Sequence, residues 1–316
     1  MTAHPLHVVF GAGQVGPFVV DALREEGQLV RVVKRHAADL PDDVEQRLGD
    51  AMDPGFCRQA CAGASVVYHC MNPAYSTAAW KAQLWRLMDN LIAASHAAGA
   101  RLVVLDNLYM IDASDGRPIT EDTPARPRSA KGSLRARVAD ALFAAHARGD
   151  VEVIVGRASD FYGPRGVGTH FGEAFWRPAL RGKRVDLLPR LDTPHSYHYI
   201  PDVAAALVAL GVAPDDCTGR AWLLPCQPAE PTTALVQRFA EALGRPIPVR
   251  HVPALVAWGL GLFTPIVREL GEMLYQWDAP FIVDDARFRA RFGPIVTDRD
   301  TAARATVAWA QATYGA

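Results

Sequence analysis

Six residues near the start of the chain, Gly11-Ala12-Gly13-Gln14-Val15-Gly16, have the composition and spacing of a loop that closes on a phosphate. In Gly-x-Gly-x-x-Gly the first glycine permits a tight turn, the second lets the backbone approach an anion, and the third lets a helix pack close to the preceding strand. Leu6–Phe10 reads as that strand and Val15–Glu26 as the helix, whose unpaired N–H groups point at the anion. Gly11, Gly13, Gln14, Val15 and Gly16 therefore predict a dinucleotide pyrophosphate site. The kind of dinucleotide is decided at the end of the next apolar run, Leu29–Lys34. An acidic residue there bonds a ribose 2′-hydroxyl, but this chain reads Lys34-Arg35-His36, and Asp39 arrives four residues after Arg35. A guanidinium grips a phosphate through two N–H groups at once. NADP is expected over NAD, held by Lys34 and Arg35; a pair of solvated strand-end charges is the plainer account of the same two residues.

Other residues could move protons. Tyr109 offers a phenol to a developing alkoxide or enolate, and a nearby Arg135 could favour its ionised form or bind an oxyanion. A packed aromatic with a satisfied hydroxyl is the competing account. His195 and His198 titrate in the neutral range, or are ordinary loop residues. Cys57, Cys61, Cys70, Cys217 and Cys226 are scattered, form no Cys-x-x-Cys pair and have no accompanying histidine cluster, so no metal site is expected. No glycine elbow supports a hydrolase.

These residues need a scaffold, and the first 160 residues supply its pattern. Short apolar runs (Leu6–Phe10, Leu29–Lys34, Ser65–Cys70, Arg101–Leu105, Val151–Arg157) alternate with amphipathic helices (Val15–Glu26, a short one capped by Asp53, Trp80–Ala98, Lys131–Arg148). Such alternation implies crossover connections and an α/β doubly wound parallel sheet, the Rossmann arrangement, with helices on both faces. Ligands then bind beyond the carboxyl ends of the strands. That rule selects Gly11–Gly16, Lys34–His36, Asp50–Ala51, Met71–Tyr75, Asp106–Met110 and Ser159–Pro164. After about residue 165 prolines and glycines punctuate shorter elements, among them a helix capped by Asp202, a strand Arg220–Leu224, and helices Thr232–Leu243 and Thr301–Thr313. Residues 1–165 are expected to form the dinucleotide domain, with return segments from about 195–225, and residues 166–316 mostly a smaller substrate lobe.

Bulk composition narrows the class. Among 316 residues the formal net charge is −1, which lacks the basic surplus of a nucleic-acid binder. The start carries no secretory pattern, and the longest apolar stretch, Ala254–Val267, is short for a membrane span and interrupted by Gly259, Gly261 and Pro265. A cytoplasmic protein with reduced thiols and a small-molecule substrate is expected, and Ala254–Val267 could pack between the subunits of a homodimer.

In their order these motifs resemble the short-chain dehydrogenase/reductase superfamily, in its extended branch of sugar-nucleotide epimerases and dehydratases, from about Val8 to Val208. Gly49-Asp50 followed by Asp53 is similar to the family's adenine-contacting segment, which adds Asp50 and Ala51 to the cofactor site. Val67 to Asn72 stands where the family has a strand end beside the nicotinamide ribose, which adds Met71 and Asn72. Arg157 to Pro164 and Tyr199 to Ala204 resemble two further segments. The family's Tyr-x-x-x-Lys pair is missing: Lys131 stands in the tyrosine slot, Arg135 in the lysine slot, and no Tyr-x-x-x-Lys occurs anywhere. Asn107 stands near the place of the family's serine or threonine and could hydrogen-bond a substrate oxygen. The resemblance thus implies an atypical member. Three functions follow as expectations: an NADP-dependent oxidoreductase on a small or hydrophobic carbonyl or enone, with Asn107, Tyr109 and Arg135 as its catalytic groups; a non-catalytic NADP-binding redox sensor; or a sugar-nucleotide epimerase or dehydratase.

Overall fold

The computed structural model describes residues 5–37, 40–253, 255–256, 259 and 262–315. Asp39 and five positions of the apolar segment (254, 257, 258, 260 and 261) lie outside them.

Seven parallel strands form the central sheet: β1 (Leu6–Phe10), β2 (Leu29–Lys34), β3 (Val44–Leu48), β4 (Ala64–His69), β5 (Arg101–Asn107), β6 (Val153–Ala158) and the edge strand Arg220–Leu223. Their spatial order is Arg220–Leu223, β6, β5, β4, β1, β2, β3, so the order reverses between β1 and β4. The Gly11 loop leaves β1 at that switch point, where open parallel sheets bind ligands. Helices α1 (Gly16–Glu25), α2 (Pro54–Cys61), α3 (Thr77–Ala98) and α4 (Ala130–Ala147) make the crossovers.

Apolar strand residues alternate between two cores because successive side chains leave opposite faces. Val8, Phe10, Val67, Leu102 and Val104 pack with Trp80, Leu84, Leu91 and Leu142 under α2, α3 and α4. Val9, Val32, Val103 and Ile154 pack with Val19, Leu23, Val203 and Leu207 under α1 and the helix Ile200–Gly211. A third core, around Phe171, Phe175, Trp176, Phe239 and Val307, lies under helices Glu173–Leu180, Thr232–Leu243 and Arg299–Tyr314.

Three details differ from the sequence reading. β3 has no apolar run to announce it, because Glu45, Gln46 and Arg47 fill the middle of this edge strand. Asp202 does not cap its helix, which begins at Ile200; its carboxylate instead accepts the Thr297 N–H at 2.8 Å and hydroxyl at 2.6 Å, 95 residues along the chain. Thr77, three residues before the expected start, opens α3, with Ser76 Oγ accepting the Ala79 N–H at 3.1 Å. No helix among the described residues is long and apolar enough to cross a membrane. In the apolar segment Leu255, Val256, Leu262, Phe263 and Ile266 are exposed.

Candidate active site

Each glycine of the loop has its own steric reason. Gly11 has φ +101°, and a Cβ on it would stand 2.8 Å from Met71 Cγ and 3.0 Å from the Cys70 carbonyl oxygen. At Gly16 a Cβ would fall 1.8 Å from the Gly11 carbonyl oxygen, so α1 packs against the loop only because that atom is missing. Gly13 faces open space, with no atom within 4 Å of a Cβ position. Helix α1 begins with Pro17 in its first turn, no side-chain cap and Val15 buried at the N-cap position, which leaves backbone N–H groups for an anion. A pyrophosphate fits this donor set. Gln14 turns away from the loop, its Oε1 accepting the Gly168 N–H at 3.2 Å.

Around the loop, Lys34 is half-buried and Arg35 exposed at the end of β2. The Asp50 carboxylate accepts the Met52 N–H at 3.0 Å, and the buried Ala51 carbonyl accepts the Asn90 amide at 2.9 Å. Asp53, which the resemblance put against the adenine, caps α2 by accepting the Gly55 N–H at 2.7 Å and the Phe56 N–H at 3.2 Å.

Beyond β4 and β5 the structure brings Asn72 and Arg135 together. Arg135 is 5% exposed and donates to Asn72 Oδ1 at 2.8 Å. It pairs with Asp106 at 3.5 Å and lies 4.7 Å from the Trp80 ring centroid, while its Nε has no partner among the described residues. Asp106 is shared with Arg157 at 3.3 Å. Asn107 turns its side-chain oxygen back to accept the Tyr109 N–H at 3.1 Å. The Tyr109 ring stacks on Trp80, with centroids 6.0 Å apart, and its hydroxyl lies 3.3 Å from that of Tyr75. Burial pushes the Tyr109 phenol well above its ordinary pKa; Tyr75 and Asp160 add to this and Arg135 opposes it.

Lys131, one turn before Arg135 on α4, is fully buried. Its ammonium donates to Glu269 Oε2 at 2.5 Å, to Glu272 Oε2 at 2.8 Å and to the Glu269 carbonyl at 3.2 Å. The same carboxylates occupy two helix N-termini. Glu269 accepts the Thr77 N–H and hydroxyl at 2.9 Å each at the start of α3, and Glu272 accepts the Ala130 and Lys131 N–H groups at the start of α4. Burial pushes both glutamates up, but the Lys131 hydrogen bonds and the backbone N–H groups outweigh it and hold both below the ordinary carboxylate range. The segment carrying them, helix Pro265–Gly271 and the turn Leu274–Trp277, thus straps the carboxyl edge of the sheet. Tyr275 fastens it further by donating to the Tyr109 carbonyl at 3.1 Å.

Asp160 follows β6. Its carboxylate lies 2.9 Å from His195 Nε2 and 3.7 Å from His170 Nε2. Burial raises its pKa, but the His195 hydrogen bond and the charges of His195, His170 and His198 together bring it below the usual value. His195 is sandwiched between Trp277, 4.4 Å away, and Phe281, 5.1 Å away. His198 has a structural role: Nδ1 accepts the Ser159 N–H at 3.2 Å and Nε2 donates to the Leu224 carbonyl at 2.9 Å, and burial lowers its pKa to about 4.

Sequence reasoning missed Glu269 and Glu272 entirely. They reach Lys131 across 138 and 141 residues, and a short helix with glutamates three apart carries no sign of its docking place. Asp160 lay inside the strand-end range 159–164 but had no distinguishing signal. A hollow of about 360 Å³ between α3 and α4, lined by Asp89, Ile92, His96 and Arg148, lies near the carboxyl ends of those helices, away from these groups.

A parallel seven-stranded sheet with a glycine loop at its switch point defines a dinucleotide-binding α/β protein. The sequence profile of the NAD dependent epimerase/dehydratase family matches residues 7–223, and the chain belongs to that family. It is 27% identical over 270 residues to a 3-diazoavenalumate denitrifying reductase from a Streptomyces species, covering 79% of this chain and 85% of that one. Among solved structures it is similar to UDP-glucose 4-epimerase of Thermus thermophilus in complex with NAD, at 19% identity and a TM-score of 0.73, covering 98% of this chain and 99% of that one. It is also similar to UDP-glucuronic acid 4-epimerase of Bacillus cereus in complex with NAD, at 13% identity and a TM-score of 0.76, with 98% and 99% covered. At these identities the two structures speak for the fold.

Proposed function

We propose that the chain is an NADP-dependent reductase acting on a small, electron-poor organic acceptor, whether a carbonyl, an enone or a diazo compound. The observation that carries this reading is the state of Lys131. In the family's tyrosine slot stands a buried ammonium with three hydrogen bonds, two of them to glutamate carboxylates, so it is not available to take a proton from a sugar hydroxyl. An epimerase needs such a base, whereas a reductase needs only an acceptor that tolerates a weak proton supply. The relative named as a denitrifying reductase supports the same choice.

When bound, the reduced dinucleotide supplies the hydride. The glycine loop and the open N-terminus of α1 hold its pyrophosphate, Lys34 and Arg35 its 2′-phosphate, and Asp50 and Ala51 its adenine side. Arg135 fixes the Asn72 side chain at the β4 end, and Met71 supports Gly11. Tyr75 and Tyr109 present aromatic faces to the acceptor, and the strap over the strand ends excludes water.

Fluorescence titration with NADPH and NADH tests the cofactor. NADPH is expected to bind tighter, and Arg35→Ala to weaken it by roughly 10- to 100-fold while leaving NADH unchanged, the size of a lost charged hydrogen bond. Tighter NADH binding overturns the role of Arg35. Tight NADPH binding with no oxidation by aldehydes, enones, quinones or diazo compounds would favour the sensor instead.

A further inference from the structure

A dinucleotide bound at the Gly11 loop has a direction. β2 and β3 lie on one side of β1, and β4, β5 and β6 on the other. With its adenine side over β2 and β3, its nicotinamide half extends over the ends of β4, β5 and β6. Beyond β6 the chain makes a short strand, Asp160–Tyr162, which pairs with Tyr197–Tyr199 and sets Tyr197 opposite Asp160. It then enters a loop shaped by its own turns, in which the Gly166 N–H donates to the Gly163 carbonyl at 3.1 Å and the Gly172 N–H to the Thr169 carbonyl at 3.1 Å. The Gly168 N–H of this loop donates to Gln14 of the glycine loop, and His170 follows two residues later. The loop thus spans from the glycine loop to the Asp160 carboxylate. There His170 Nε2 lies 3.7 Å from Asp160 Oδ1, and the imidazole meets the Trp277 ring of the strap edge-on at 4.8 Å between centroids. The other oxygen, Asp160 Oδ2, is held at 2.9 Å by Nε2 of the fully buried His195. His170 Nδ1 has no hydrogen-bond partner among the described residues, and the side chain is 16% exposed, so it exchanges protons with water. The Asp160 charge acts on both Tyr75 and Tyr109, which puts the cluster within electrostatic reach of the phenols beyond β4 and β5.

We infer that His170 is the proton donor of the reduction, with Asp160 and His195 as the residues that position it. The inference rests on the reductase reading above and takes a carbonyl or enone as acceptor. The hydride leaves the reduced nicotinamide and forms a C–H bond at the acceptor carbon. The displaced π electrons end on oxygen, which takes the proton from Nδ1 of the His170 imidazolium, leaving an alcohol or enol. The neutral imidazole takes its next proton from water, and the dinucleotide leaves oxidised. The other groups at hand supply a proton poorly: Lys131 is committed to two glutamate carboxylates and the Tyr109 phenol is pushed far up. Burial lowers His170, the Asp160 charge opposes this and the His195 charge adds to it, and the net value lies below the ordinary one. The charged, donating form therefore grows as pH falls below neutral.

The test has two arms, and the first needs no substrate. The oxidised nicotinamide ring carries a positive charge that the reduced ring lacks. The His170 imidazole, followed by NMR, is expected to titrate at least about half a pH unit lower in the NADP-loaded protein than in the NADPH-loaded one. Equal titration in the two complexes overturns the proposal, because the donor must stand beside that ring. The second arm follows NADPH oxidation by 9,10-phenanthrenequinone and by 4-nitrobenzaldehyde. The wild-type kcat is expected to rise as pH falls from about 8 toward about 6, and this limb to move to lower pH in Asp160→Asn. His170→Ala is expected to lose about 100-fold in kcat with KM little changed, and imidazole buffer to restore part of it in proportion to its protonated fraction. An unchanged kcat, or a loss that imidazole does not rescue, overturns the proposal and assigns His170 to packing against Trp277. Should His170→Ala fold poorly, the wild-type titrations and the Asp160→Asn profile decide. NADPH oxidation by neither compound overturns the reductase reading, while the first arm still decides whether His170 stands at the nicotinamide.

Discussion

Lys131 and Arg135 lie one turn apart on α4 and are both buried, yet their surroundings commit them differently. Lys131 is bound to two carboxylates, whereas Arg135 shares Asp106 with Arg157 and keeps one N–H without a partner among the described residues. Removing one side of a buried charge cluster leaves the other uncompensated, so Lys131→Met is expected to destabilise the protein by about 3 kcal/mol, read from the urea midpoint. Tyr109 tests the chemistry at the same scale. A general acid contributes on the order of 100-fold or more. With its phenol pushed up and resting on Tyr75, Tyr109→Phe is expected to change kcat by less than about threefold; a loss of 100-fold would restore it as the proton donor.

Among the elements, the helix N-termini do the positioning. That of α1 stays open toward the glycine loop, while those of α3 and α4 are closed by Glu269 and Glu272. Gly16→Ala would put a methyl group 1.8 Å from the Gly11 carbonyl, so α1 must move off the loop, and NADPH binding is expected to be lost before the fold is. The strap responds to pH with a definite sign. Because both glutamates are depressed in the folded state, their contribution is full above the ordinary carboxylate range and is lost as pH falls through their lowered values. Hydrogen exchange in residues 264–277 is therefore expected to accelerate below about pH 4, and at neutral pH in a Glu269→Gln, Glu272→Gln double variant. Unchanged exchange in that variant would mean the strap is held by Tyr275 and Trp277 alone. The strap was illegible in the sequence because its partners are more than 130 residues away, whereas the helix–strand alternation beneath it was plain, because short apolar runs recur between longer amphipathic segments with cap and stop residues.

At the scale of the molecule, three buried histidines and the half-buried His170 make acid the weak direction. Burial lowers His7 and His198 to about 4 and His69 to about 3, and lowers His170 as well. A group with a depressed folded value binds fewer protons in the native state, so its contribution is full above its unfolded value of 6.5 and is lost as pH falls toward the folded one. The thermal midpoint is expected to drop steadily between about pH 6.5 and 4, and His198→Gln should flatten part of that slope. An unchanged midpoint over this window would mean that these histidines titrate at their ordinary values.

Local chemistry was readable from the chain alone where one segment contains both cause and effect. The glycine loop, the β1–α1 unit around it and the Asp53 cap all follow from residues within a few positions of each other, so backbone sterics and apolar periodicity suffice. The absence of a Tyr-x-x-x-Lys pair was equally plain in the sequence. Only the tertiary structure showed what became of the replacement. The Lys131 ammonium is balanced by glutamates from a distant strap, and Asp160 is paired with His195 across 35 residues. Charge at a site is a sum over neighbours in space, and a linear sequence does not order them by distance.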